Sequence, residues 1–462
     1  MDRTARSHHT TQPARVPLPV EARREVALIF LLFATARIMS VWWFYPLYSE
    51  AGSFFLPFAY LQDAGYYPFF DYWLEYPPIL AYFVVGLRWV AKAICGAGAV
   101  GWERACLTHA VQLASIACEL GTMALLYALV RMLRGHKDAA RACWIYAAVF
   151  ATAFVALSYV DALPVFLMMV AVTFLVCCRP RWAAIAVAAG FMTKVLPIGL
   201  LPGVVKGEPR WRWRLAALGI FLVFVGYFAA PFLATGRQWL ACCAEATMRR
   251  PPWQTVWALL EGRHEFGYVG PAREDQNDAF CARHGVRGGT LSVLRSLPAE
   301  VYGPPPVRQT VFYRVASRFA RRLDFVGSGG ASLPYVVALV VVGLFFLVTF
   351  ARLPSALPPR RQAVFAAFCM VLVFVVSKGW SPQFVAYLVP LLLVAFPSLE
   401  GGLWAALLTV TAYLEMPIWA VHVHGREGLL WADLLLLHVA TLARTAILLL
   451  VLIRLYPRLF RD

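Results

Sequence analysis

Long apolar segments alternate with short polar connections along most of the chain. Ten of them are long enough to cross a bilayer, and they lie near 26–47, 105–131, 140–158, 161–178, 214–234, 334–352, 362–378, 383–398, 402–421 and 428–455. A hydrocarbon core about 30 Å thick takes roughly 20 apolar residues to cross as a helix. The pattern therefore predicts an all-α polytopic membrane protein.

Basic residues set the expected orientation of these segments. Arg and Lys cluster in the connections near 131–141, 179–181, 206–214, 352–361 and 454–461, and five arginines lie within residues 1–24. The positive-inside rule places these connections and the N-terminus in the cytoplasm. The first apolar stretch is too long for a cleavable signal peptide and is expected to stay as a span.

Two apolar segments do not fit this orientation as single spans. Residues 78–94 would begin and end outside, and residues 182–205 would begin and end inside. We therefore predict re-entrant or broken helices at both places, the second as a short helical hairpin with Lys194 near its outer apex. Counting that hairpin as two crossings gives about 12 transmembrane crossings, with both termini in the cytoplasm.

The predicted spans divide the chain into four parts. They are a cytoplasmic tail at 1–25, an N-terminal transmembrane module at 26–234, a long extracytoplasmic loop at 235–333 and a C-terminal transmembrane module at 334–462. The N-terminal module includes a first outer loop at 48–77, which contains acidic and aromatic residues and no Lys or Arg. Loops as long as the second one are usually functional.

Composition narrows the class of protein further. Hydrophobic residues make up 61% of the chain and charged residues only 15%, which excludes a soluble enzyme with a single membrane anchor. The net charge of +17 comes from the basic connections, so we expect no nucleic-acid partner. The ten cysteines lack the spacing of metal ligands, and most are interpreted as small helix-packing residues.

The first outer loop carries the strongest local signal, the run FFDYWLEYPP at 69–78. Its diproline favours extended chain before the membrane. Asp71 and Glu75 lie four residues apart in an aromatic setting without cations, where desolvation raises a carboxyl pKa and makes the group a better proton acceptor. An interfacial aromatic belt with solvated acids explains the same residues, and residue types alone leave both interpretations open.

Polar residues at the other predicted outer ends suggest a binding site. Lys194 in an apolar hairpin costs roughly 2.5 kcal/mol or more unless it is paired or hydrated, and a phosphate would suit it. Asp161 suits either a site or a helix N-cap before Pro164.

Further candidates precede the next predicted span and open the long loop. Ser381 and Gln383 suit either phosphate and sugar binding or a helix start with Pro in its first turn. Arg249 and Arg250 suit phosphate or lipid headgroups.

The order of four short motifs resembles bacterial polytopic glycosyltransferases of the GT-C superfamily, in particular the polyprenyl-phosphate-mannose-dependent mannosyltransferases. The motifs are D-x3-EYPP from 71, DALP from 161, K-x2-P from 194 and SPQF from 381. Together they span most of the membrane region, from about residue 30 to 400.

This resemblance implies an inverting hexosyltransferase of the cell envelope in the cytoplasmic (inner) membrane, with an extracytoplasmic active site. Such an enzyme moves one sugar, here preferably mannose, from a polyprenyl-phosphate-linked donor to a glycan, glycolipid or protein acceptor. The family's general base is an acid in the first outer loop. By position it falls on Glu50, which makes Glu50 and Asp71 rivals for the role, with Glu75 behind them.

The resemblance also assigns the donor contacts. Lys194, with Arg249 or Arg250, would stabilise the leaving phosphate, and Gln383, Ser381 and Asp161 would help to hold the donor. We expect no metal or other cofactor, although some members of the superfamily use a divalent metal and the acidic loop could hold one. Two other functions fit the same features: a multi-span transporter or lipid flippase, and a lipid-linked oligosaccharide ligase or polymerase.

Overall fold

The computed structural model describes residues 19–43, 50–51, 55–63, 65–70, 76–96, 98, 100–233, 252–260, 333–419 and 431–461. Within these ranges the chain is helical, and the β-pairing is one isolated bridge between Trp253 and Gly379. The helices are α1 (Val20–Trp43), α2 (Leu56–Asp63), α3 (Pro78–Cys95), α4 (Val100–Arg134), α5 (His136–Ala148), α6 (Phe150–Ser158), α7 (Ala162–Val176), α8 (Pro180–Phe191), α9 (Leu201–Lys206), α10 (Trp211–Leu233), α11 (Val256–Leu260), α12 (Leu333–Arg352), α13 (Pro359–Val375), α14 (Val385–Ala395), α15 (Ser398–Tyr413) and α16 (Trp431–Leu455). Short 3-10 turns lie at Leu196–Leu200, Pro382–Phe384 and Tyr456–Leu459, and Leu414–Trp419 is π-helical.

Five of the described helices are long and apolar enough to cross a membrane. They lie at Pro78–Cys95, Trp102–Arg134, Trp211–Phe232, Tyr335–Arg352 and Trp431–Leu459, and α5 with α6 makes a sixth if the pair is one bent span. The described residues therefore have the composition and helicity of an all-α multi-pass membrane protein. The count of about twelve crossings stays a prediction.

The structure corrects two of the expected spans. The segment predicted at 140–158 is bent by 56° where α5 meets α6, because Val149 between them is in the extended region. Residues 78–94, expected to be broken or re-entrant, form the unbroken helix α3. The diproline at 77–78 starts this helix, since a proline in the first turn needs no N–H donor.

Residues 180–206 form a hairpin with Lys194 in its turn. The first arm is α8, and the second is the 3-10 turn followed by α9. The arms pack closely at Gly190, where a Cβ atom would lie 2.9 Å from the side chain of Pro197. The 12 residues of α8 rise about 18 Å, which is less than the roughly 30 Å of a hydrocarbon core, and the count of this hairpin as two crossings stays a prediction.

One hydrophobic core joins the two predicted transmembrane modules. Helix α7 packs against α13 and α14, α4 packs against α14, and every residue of α14 is buried. Buried side chains from both halves, including Val130, Met168, Phe365 and Leu388, belong to this core. The packing brings the start of α7, the start of α14 and the turn of the 180–206 hairpin to the same end of the bundle.

A disulfide between Cys95 and Cys106 ties the end of α3 to α4. Nothing in the spacing of the ten cysteines predicted this pair. The described cysteines outside it are free, and Cys143 and Cys369 among them are buried in helix packing.

Candidate active site

Asp161 lies at the start of α7 and is completely buried. Its Oδ1 atom accepts hydrogen bonds from the ammonium of Lys194 and from the hydroxyl of Tyr387, both at 2.7 Å. The carboxylate makes no side-chain cap on α7, although the residue occupies the N-cap position. Asp161 is thus an ion-pair partner, and the N-cap alternative is wrong.

Lys194 forms an ion pair, but part of its side chain remains exposed. Its side chain is 14% exposed, while Asp161 beside it has no exposure. The ammonium lies 5.3 Å from the ring centroid of Tyr76 and 5.7 Å from that of Phe384, distances at which an aromatic face attracts a cation. The lysine therefore lies in a partly open aromatic pocket, with Asp161 as its carboxylate partner among the described residues.

Glu50 joins the same group of residues from the first outer loop. Its Oε2 atom accepts the N–H of Val160 at 3.1 Å, which places the carboxyl next to Asp161 in the chain. Its Oε1 atom accepts the hydroxyl of Tyr76. We call Glu50, Tyr76, Asp161, Lys194 and Tyr387 the Glu50–Lys194 cluster.

The loop and the hairpin are held together through the backbone. The N–H of Ile79, at the start of α3, donates to the carbonyl of Met192 in the hairpin turn at 3.0 Å. Because Tyr76 lies three residues before Ile79, this bond places Tyr76 between Glu50 and Lys194. The diproline motif thus has a structural use, which is to dock the end of the outer loop on the hairpin.

Burial decides the proton affinity of Glu50. Removal from water raises the pKa of this carboxyl to about 7, the nearby Lys194 opposes the rise, and Asp161 adds to it. A carboxyl that titrates near neutral pH combines a large ionised fraction with a strong affinity for a proton. Glu50 therefore has the properties of a general base.

The cluster also contains an unused acceptor. Asp161 Oδ2 is buried and has no hydrogen-bond partner within the part of the chain that the structure describes. Buried carboxylate oxygens are usually bonded to a donor. This atom is consequently suited to accept a hydroxyl group of a substrate.

The SPQF motif borders the cluster through Phe384 and Tyr387. The hydroxyl of Ser381 donates to Oε1 of Gln383 at 2.7 Å, so the serine and the amide oxygen satisfy each other. Gln383 is 6% exposed. The structure therefore brings this motif to the site mainly through aromatic residues one and four positions beyond Gln383.

Residues 252–260 of the predicted long loop are described, and Trp253 among them contacts the segment just before the SPQF motif. The N–H of Trp253 donates to the carbonyl of Lys378, and the N–H of Trp380 donates to the carbonyl of Trp253. At Gly379 a Cβ atom would lie 2.0 Å from the Trp253 ring, so this close approach requires glycine. The loop start thereby fixes the position of the SPQF turn.

The remaining predicted site residues lie outside the described ranges. These are Asp71, Glu75, Arg249 and Arg250, and their roles stay predictions.

The structure adds two site residues that were not singled out from the sequence, Tyr76 and Tyr387. Tyr76 belongs to the EYPP run, and Tyr387 lies one helical turn after Gln383, so both had a local signal.

No group of three or more His, Cys, Asp or Glu side chains converges as a metal site among the described residues. The cluster offers instead a carboxyl base, an ammonium, two tyrosine hydroxyls and a free carboxylate oxygen. This set can remove a proton from a hydroxyl and stabilise an anion nearby.

Comparisons with known proteins identify no family for this chain. No protein-family model matches the chain, and no curated protein matches it. A solved structure that does match is the crystal structure of the Archaeoglobus fulgidus oligosaccharyltransferase in the apo form, with 12% sequence identity and a TM-score of 0.37. The match covers 94% of this chain and 56% of that protein, so the chain spans about half of its length. At this TM-score the likeness is no basis for assigning an activity.

Proposed function

We propose that this protein is a membrane glycosyltransferase of the GT-C type. It moves a single sugar, with mannose favoured, from a polyprenyl-phosphate-linked donor to an extracytoplasmic acceptor, with inversion at the anomeric carbon. The observation that carries the proposal is the Glu50–Lys194 cluster, in which a buried carboxyl with a pKa of about 7 lies near the ammonium of Lys194, whose side chain is 14% exposed.

The reaction assigns separate roles to the two ends of the cluster. Glu50 takes the proton of the acceptor hydroxyl while that oxygen forms a bond to the anomeric carbon. The bond between the anomeric carbon and the donor phosphate breaks, and the phosphate oxygen leaves with the electron pair. Lys194 then stabilises the charge that develops on the lipid phosphate.

Asp161 and Tyr387 are positioning residues in this mechanism. The Asp161 carboxylate holds the Lys194 ammonium in place at 2.7 Å, and the Tyr387 hydroxyl donates to the same carboxylate oxygen. The free Oδ2 atom of Asp161 is suited to a sugar hydroxyl. Arg249, Arg250, Ser381 and Gln383 are proposed to complete the donor site.

Several features support an extracytoplasmic active site in the cytoplasmic membrane. Helices α7 and α8 run from the cluster to the basic connection at 179–181, which the positive-inside rule assigns to the cytoplasm. Helix α4, at 35 residues and about 52 Å, is longer than a roughly 30 Å core requires, and its last turn carries the basic residues Arg131 and Arg134. The Cys95–Cys106 disulfide lies near the other end, in the first turns of α4, and a disulfide there fits an oxidising compartment.

The first experiment tests the sugar donor and the base together. Purified protein in lipid nanodiscs receives polyprenyl-phosphate-linked mannose, glucose or arabinose, each labelled in the sugar, with a membrane glycolipid extract as acceptor. We expect label release from one donor, and we expect Glu50→Gln to lower turnover about 100- to 10,000-fold with donor binding retained. Asp71→Asn tests the rival base, and Glu21→Gln, an exposed acid on α1, is the control.

Each outcome separates the alternatives. Loss of turnover in Asp71→Asn with an active Glu50→Gln would make Asp71 the base. Wild-type turnover in both variants would end the first-loop mechanism. No release from any donor by folded protein would favour the transporter or flippase and the oligosaccharide ligase instead.

A further inference from the structure

A strongly basic pocket lies at the opposite end of the helix bundle from the Glu50–Lys194 cluster. It has a volume of about 820 Å³ and lies between the ends of α4, α13 and α14 and the turn after α16. Five arginines line it, namely Arg134, Arg360, Arg361, Arg458 and Arg461. The 11 residues of α14, about 16 Å of helix, separate it from the end that carries Tyr387.

Two of these arginines are held by backbone carbonyls. Arg134 donates to the carbonyl of Leu393 at 2.7 Å, and Arg360 donates to the carbonyl of Leu133 at 2.9 Å. A carbonyl fixes a guanidinium in place but does not cancel its charge. The described residues that line the pocket include no Asp or Glu, so its positive charge is not balanced from within.

The pocket also holds buried donors that the protein does not use. Arg134 Nε and Arg458 Nη1 are buried and have no hydrogen-bond partner among the described residues. Arg458 donates through its other terminal nitrogen to Glu400, which lies outside the lining, at 2.6 Å. An unsatisfied charged donor is costly in a folded protein, and an anion with several acceptor oxygens would satisfy both.

The apolar residues that line the rest of the pocket indicate which kind of molecule the anion belongs to. Leu133, Val364 and Val394 give the pocket an apolar side next to the arginines. Arginine forks match the oxygens of a phosphate, and basic pockets between helices on the cytoplasmic side are typical sites for anionic lipid headgroups. A free phosphate would use the arginines and leave the apolar side uncovered.

We propose that this pocket binds the phosphate group of an anionic phospholipid. The lipid joins α4, α13 and the C-terminal turn by bonding arginines from all three, with its glycerol and upper acyl carbons against the apolar side. This site is independent of the proposed sugar transfer, since it lies at the other end of α14.

Native mass spectrometry of the full chain tests the proposal. Detergent-solubilised protein is titrated with phosphatidylglycerol, phosphatidylcholine or inorganic phosphate, and retained adducts are counted. We expect phosphatidylglycerol to bind about tenfold or more tightly than phosphatidylcholine, and Arg134→Gln/Arg360→Gln to remove that preference. Arg352→Gln, an exposed arginine at the end of α12 outside the pocket, is the matched control and keeps it.

A second double variant tests the same proposal if the first one does not fold. Arg458→Gln/Arg461→Gln changes the C-terminal turn and leaves the two carbonyl-bonded arginines in place, and it is expected to lose the same preference. Equal retention of both lipids, or unchanged retention in a folded variant, overturns the proposal. Displacement of phosphatidylglycerol by millimolar inorganic phosphate overturns the assignment to a lipid and makes the pocket a free-phosphate site.

Discussion

Two clusters of this protein contain a buried carboxylate that is paired with a basic side chain, and they differ in how many of their polar atoms have partners. In the first, the Glu415–Arg444 cluster, Glu415 accepts bonds from Arg444 and from the indole N–H of Trp380 at 2.9 Å. Arg444 also donates to the carbonyl of Gln254, and its guanidinium carbon lies 4.3 Å from the Trp380 ring centroid. Neither charged side chain is more than 2% exposed.

The Glu50–Lys194 cluster is less complete. One oxygen of Asp161 has no partner among the described residues, and Lys194 keeps 14% of its side chain exposed. In the Glu415–Arg444 cluster, by contrast, both oxygens of Glu415 and both terminal nitrogens of Arg444 have hydrogen-bond partners. The comparison indicates that the first cluster holds α16 and the SPQF segment together, while the second is available for chemistry.

The largest expected effect is a loss of stability when the Glu415–Arg444 ion pair is removed. Arg444→Met leaves the buried Glu415 without its cationic partner, which should lower the free energy of unfolding by about 3–5 kcal/mol. Tryptophan fluorescence during thermal unfolding in detergent measures the change. Arg444→Met/Glu415→Leu, which removes both charges, should recover most of the loss, and a single variant as stable as the wild type would contradict a structural role.

Substitutions in the Glu50–Lys194 cluster should lower the activity and change the free energy of unfolding much less. Lys194→Met removes the cation proposed to stabilise the leaving phosphate, so turnover should fall about 100- to 1,000-fold. Label release per folded protein is the measurement.

The matched control is Lys206→Met, a buried lysine at the far end of the same hairpin that donates to the Leu353 carbonyl at 2.7 Å. It should keep the wild-type turnover. Equal losses in the two lysine variants would show that Lys194 is structural.

The smallest expected effect is the fall of kcat/KM when the pH is lowered below about 7. Burial raises the pKa of Glu50 to about 7, so lowering the pH through this value protonates the base and removes it. The ratio should fall about tenfold per unit below pH 7 and level off above it. Measurement between about pH 4 and pH 9 checks this, and a ratio that stays constant down to about pH 5 would show that the base is a carboxyl with an ordinary pKa and not the buried Glu50.

Much of the fold could be predicted because it depends on local pattern. Apolar length gave most of the helices, and the inside–inside placement of residues 182–205 led to the hairpin with Lys194 in its turn. The bend at Val149 and the unbroken helix α3 were missed. Both depend on neighbouring elements, which a count of apolar residues does not contain.

Part of the candidate site could also be predicted from residue chemistry. A lysine in an apolar hairpin needs a partner, and Asp161 was the acid expected at the same end of the bundle. Nothing in the spacing of the outer loop shows that Glu50 contacts the residues around Lys194, which required the packed structure, and the choice between Glu50 and Asp71 as the base stays open. The tyrosine partners and the Cys95–Cys106 pair likewise required the packed structure.

The sequence by itself determined the class of environment, the helical segments and their basic ends, because these depend on composition within windows of about 20 residues. Only the tertiary structure decided which polar groups share a site. Glu50 bonds to a backbone group 110 residues away, and Tyr387 bonds to an acid 226 residues away. Such pairs form when helices pack into one core, and burial in that packing is what raises the pKa of Glu50.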